Sequence, residues 1–146
     1  FTRRKQTPPA LDYTQNPLTY FNGNRCNTPQ FRLLKRLVAN QVKTAKLKLY
    51  NILDGCIVAG FINDKKGKAF FTLTFNAFAK AYEFAFLDSK DSSALGLYYG
   101  AKTANGFELQ TKADKDKKPS KAVLTVGKTI SKIELKYESK KVKFNF

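Results

Sequence analysis

The sequence predicts a mainly β protein: an antiparallel β-sandwich, jelly roll or barrel with one N-terminal amphipathic helix and an extended basic arm. Three observations lead there. From about Leu47 to the C-terminus, apolar residues recur at every second position in short runs, the period of a half-buried strand. Short segments rich in Gly, Asp, Asn, Ser and Lys separate the runs, and such connections force antiparallel pairing. Only one stretch, beginning near Thr28, carries a helical period. The 146 residues are enough for one domain with a real core. They divide into an arm, residues 1–27, and a single β-rich domain, residues 28–146, with the helix over about 28–45.

In the arm, Pro8, Pro9, Pro17 and Gly23 leave no helical or strand period. Its aromatics Tyr13, Tyr20 and Phe21 suit an arm that docks on a phosphate backbone or on a neighbouring subunit. The chain begins at Phe1 and contains no Met, which leaves N-terminal processing open. In the helix, Thr28 suits the N-cap and Pro29 the first helical position. Phe31, Leu34, Val38, Val42 and Ala45 follow 3.6-residue spacing, and Leu33 and Leu37 widen that arc. Arg32, Lys35, Arg36, Lys43 and Lys46 gather opposite it.

Nine strand-like runs follow: "KLKLYNI", "CIVAGFI", "AFFTLTFN", "KAYEFAFLD", "ALGLYYGA", "FELQTK", "KAVLTVG", "ISKIELKY" and "KKVKFNF". Phe71, Leu73 and Phe75 alternate with Thr72, Thr74 and Asn76, which makes the first set core. Tyr82, Phe84 and Phe86, then Ile133, Leu135 and Tyr137, then Val142, Phe144 and Phe146 repeat the pattern.

The composition excludes several chemistries. With no His and two Cys, a four-ligand zinc site and a Ser-His or Cys-His nucleophile pair cannot be assembled. The acids show no pairing, so no enzyme activity and no cofactor are expected. No apolar run reaches the roughly 18–20 residues of a membrane helix, so no transmembrane segment is expected. Cys26 and Cys56 leave two states open: one disulfide in an exported protein, or two free, buried thiols.

Charge is the strongest functional signal. Against 27 Lys and Arg stand 11 acids, a net charge of +16. Residues 1–50 hold ten bases and one acid, residues 51–110 six of each, and residues 111–146 eleven bases and four acids. Two basic ends around a neutral middle attract polyanions. The candidate nucleic-acid-binding residues are Arg3, Arg4 and Lys5 in the arm, Arg32, Lys35, Arg36 and Lys43 on the helix, Lys66, Lys68 and Phe70 on the third strand, and Lys141 and Lys143 on the last. In "KKGKAFFTLTF", Gly67 turns a hairpin. Lys66, Lys68, Phe70, Thr72 and Thr74 then share one sheet face, with cations for phosphates and a ring for base stacking. Lys141, Lys143 and Asn145 likewise face away from the apolar set of their strand, with no acid among them.

"KGKAFFTL" resembles the ribonucleoprotein strand motif of RNA-recognition domains at Lys66, Gly67, Ala69 and Phe70, and departs from it at Lys68 and Leu73. That fold also needs a helix between its first two strands and another after this one. The family is therefore set aside and only the chemistry kept. The expected function is non-catalytic binding of nucleic acid, single-stranded before duplex, or of another polyanion. Sequence specificity would be low, within a larger nucleoprotein assembly and with self-assembly through the arm. The alternatives are a structural subunit of a virion coat or surface filament, and a secreted binder of an anionic polysaccharide or lipid surface.

Overall fold

The computed structural model describes residues 26–41, 46–65, 67–90, 96–112, 119–137 and 140–146. Residues 1–25 of the arm, with Arg3, Arg4 and Lys5, together with Lys43 and Lys66, lie outside the described residues. Among them, one helix, α1 (Pro29–Ala39), precedes nine strands. These are β1 (Leu47–Ile52), β2 (Ile57–Asp64), β3 (Gly67–Asn76), β4 (Ala81–Asp88), β5 (Gly96–Thr103), β6 (Gly106–Gln110), β7 (Lys121–Val126), β8 (Ile130–Tyr137) and β9 (Lys140–Asn145). Each expected run became a strand.

The strands form one sheet in sequence order, β1 to β9, each antiparallel to the next. The sheet curls into a half-barrel, whereas a sandwich or jelly roll requires two packed sheets. Glycines permit the curl. At Gly100 the backbone of Glu108 and Leu109 on β6 occupies the place a Cβ would take, so only glycine lets the strands bend together there. At Gly60 the ring of Phe71 fills the same space, and that ring is wholly buried.

The buried part of the inner face is apolar. Phe71 and Leu73 of β3 stand opposite Phe86 and Phe84 of β4, and Phe84 opposite Tyr98 of β5. On the far side Leu124 of β7 faces Ile133 of β8, and Ile133 faces Phe144 of β9. Phe86 and Phe144 meet at 6.1 Å between ring centroids, so the curl brings β4 and β9 into one core. Burying each such side chain stabilises the fold by about 1.5–3 kcal/mol.

Helix α1 packs in this hollow with Phe31, Leu34 and Leu37 buried. The Phe31 ring contacts that of Phe75 at 5.9 Å. The helix closes sooner than its apolar period suggests: Asn40 caps it, its N–H donating to Arg36 O at 2.9 Å. Gln41 is then engaged elsewhere. Its Nε2 donates to Leu49 O at 2.8 Å, and Leu49 N–H donates to its Oε1 at 2.9 Å. One side-chain amide thus mimics a strand and covers part of the edge of β1. Cys26 and Cys56 form a disulfide that ties the start of the helix to the start of β2.

Candidate nucleic-acid interface

The candidate site starts from the β2–β3 hairpin. Gly67 has φ 141°, a conformation that favours glycine, and it stands opposite Asp64 at the turn. Ser89 holds the adjoining position: its N–H donates to Lys68 O at 2.9 Å, and Lys68 N–H donates to its Oγ at 3.3 Å. From there the alternation of β3 is enforced by burial. Phe71 and Leu73 point inward, while Lys68, Phe70, Thr72 and Thr74 occupy the outer face.

Among the described residues, Phe70 therefore packs against neither the helix nor a second sheet. Its neighbours are Phe61, directly opposite on β2, and Leu87, directly opposite on β4. The Phe61 and Phe70 rings lie 4.9 Å apart, and Tyr50 of β1 joins them edge-on to Phe61 at 5.6 Å. The three rings form a continuous row across β1, β2 and β3. Phe70 is half-buried, but Tyr50, Phe61 and Leu87 keep 47%, 50% and 48% of their surface exposed. Lys48, opposite Phe61, and Lys68, two residues from Phe70, flank the row on the same face. Exposed rings bordered by cations are chemically suited to stacking against planar groups with anions beside them.

Tyr50, Phe61 and Lys48 were not singled out from sequence. The run "CIVAGFI" is apolar at nearly every position and hides which way Phe61 points. The usable signal was register: if β2 and β3 pair through the Gly67 turn, Phe61 meets Phe70.

The other described candidates, Arg32, Lys35, Arg36, Lys141 and Lys143, are not brought to this row. Arg32 and Arg36 are exposed on α1, which packs on the inner side of the sheet. Arg32 donates to Asn27 O at 3.1 Å, and the aliphatic stem of Lys35 lies over Gly55 in the β1–β2 turn. Lys141 and Lys143 stand on the outer face of β9, at the far end of the strand order. There Lys121, Lys136 and Lys141 oppose one another across β7, β8 and β9. β9 carries no acid of its own, but the next strand supplies one: Lys141 Nζ lies 2.9 Å from Glu134 Oε2. That hydrogen bond, aided by the charges of Lys141, Lys132 and Lys143, holds the Glu134 carboxyl below its ordinary range.

Among the described residues no group of three or more His, Cys, Asp or Glu side chains is placed to hold a metal ion. No helix there is long and apolar enough to cross a membrane. The chain matches no family model, no curated protein and no solved structure.

Proposed function

We propose that this chain is a non-catalytic binding protein whose outer sheet face takes single-stranded nucleic acid with little sequence preference. The observation that carries this reading is the row Tyr50, Phe61 and Phe70 with Lys48 and Lys68 beside it. Every base has a π-face, so stacking on such rings tolerates any sequence, and lysines meet the phosphates that all strands share. The +16 charge steers polyanions toward the molecule, and the lysines of β7 to β9 add to that field. The basic arm would extend the contact.

A second reading is favoured by one specific observation. The Cys26–Cys56 disulfide suits an oxidising compartment. An exported binder of an anionic polysaccharide would use the lysines of β7 to β9 and leave the ring row idle.

Anisotropy titrations of short labelled single strands, duplex and heparin at two salt concentrations distinguish the two. In the first reading Phe61→Ala weakens single-strand binding by about 1–3 kcal/mol with the salt slope unchanged. Lys48→Gln with Lys68→Gln then flattens that slope by about 1.4, two phosphates' worth. Heparin binding that is indifferent to Phe61, with single strands bound no better than duplex, favours the second.

A further inference from the structure

A cleft of about 660 Å³ opens between α1, the β3–β4 turn and the end of β5. Its position is independent of the ring row, which lies on the other face of the sheet. Its apolar wall is Leu33, Phe75 and Tyr82, and its charged groups are Arg36, Lys80 and Lys102. No acid lines it. The nearest acid along β4, Glu83, belongs to the outer face, where it accepts a hydrogen bond from Asn76 Nδ2 at 2.9 Å.

Two of these cations occupy positions that the fold alone does not require. Lys102 continues the inward column of β5 after Tyr98 and Gly100, and stands opposite the buried Phe107. Its side chain is exposed at the rim of the core, with Nζ donating to Thr103 O at 3.4 Å. Lys80 has φ 55°, the left-handed region that glycine or asparagine adopts at lower cost. Burial also holds the Tyr82 hydroxyl above its usual titration range.

We propose that this cleft binds a small amphiphilic anion: an apolar body against Leu33, Phe75 and Tyr82, with a carboxylate, sulfate or phosphate head held by Arg36, Lys80 and Lys102. The cleft is open to solvent on one side, and its volume is of the order that holds a small organic ligand, roughly 300–1,000 Å³. Three cations with no acid among the described lining residues set the sign of the head group, and the apolar wall favours a ligand with an apolar body over a bare inorganic anion.

The test uses dodecanoate, dodecanol and dodecylammonium as probes, with inorganic phosphate as a head-group control, on the whole chain by calorimetry and by NMR shift mapping. The expected result is dodecanoate binding at least tenfold tighter than either other chain, with phosphate weaker still. Arg36→Gln with Lys80→Gln should lower dodecanoate affinity at least tenfold, while Lys68→Gln leaves it within twofold. Amide shifts should cluster at Leu33, Phe75 and Tyr82. Equal affinity for the carboxylate and the ammonium overturns the proposal, as does absence of dodecanoate binding. Shifts confined to Tyr50, Phe61 and Phe70 overturn it too, because the probe would then be reporting the outer ring row.

Discussion

Glu134 sits among lysines, and its environment makes a pH-dependent forecast. Its carboxyl titrates below the ordinary glutamate range mainly because Lys141 hydrogen-bonds it at 2.9 Å. The folded value is lower than the unfolded one, so the ion pair's contribution is complete above the unfolded pKa. It is lost as pH falls through the lowered folded value. Lys141→Gln removes the leading cause, and the Glu134 midpoint is expected to rise toward the ordinary range. Carbon-detected NMR titration of the side-chain carboxyl reads this directly, and an unmoved midpoint would show that the hydrogen bond is not the cause. The same neighbourhood illustrates a limit of reading one strand at a time. Lys141 and Lys143 have no acid on their own strand, yet the pairing of β8 with β9 sets Glu134 beside them.

Helix α1 and the β1–β2 hairpin are joined covalently as well as by packing. The Cys26–Cys56 bond closes a separation of 30 residues, for which the chain-entropy model gives about 3–4 kcal/mol of stabilisation. Reduction, or the double substitution Cys26→Ala with Cys56→Ala, is expected to lower the midpoint of thermal unfolding by on the order of ten degrees. Circular-dichroism melts with and without reductant measure it. Coincident melts would mean that α1 stays docked through Phe31, Leu34 and Leu37 alone. The length of this helix was not legible in its sequence. Apolar spacing continues to Val42 and Ala45, but the helix ends at Ala39 because Gln41 pairs with the backbone of Leu49, a partner from a different element.

Across the whole molecule the dominant quantity is charge. The row Lys121, Lys136 and Lys141 places like charges directly opposite one another on three successive strands, an arrangement that destabilises a sheet by a few tenths to about 1 kcal/mol per pair. Raising ionic strength shortens the Debye length and relieves this repulsion, so the thermal midpoint is expected to rise with salt. Lys136→Glu should raise the midpoint at low salt, weaken its salt dependence and shorten retention on heparin. A midpoint that falls with salt in the unmodified protein would show that attractive pairs outweigh the repulsive row.

The nine strands, their order of occurrence and the inward set of β3, β4, β8 and β9 were readable from residues alone. Alternation and turn chemistry are local properties, expressed within a few positions of one another. Lys68 and Phe70 were likewise assigned to their face by counting from Gly67. The rest required the fold. One curled sheet in place of two packed ones depends on how closely β5 and β6 approach at Gly100. The union of Cys26 with Cys56, the row joining Tyr50 and Phe61 to Phe70, and the cleft that gathers Arg36 with Lys80 and Lys102 all bring together residues from different elements. Sequence patterns record which way a side chain points from its own strand. They do not record which distant strand or helix lies beside it, because that is set by register and by the shared burial of a core to which every element contributes.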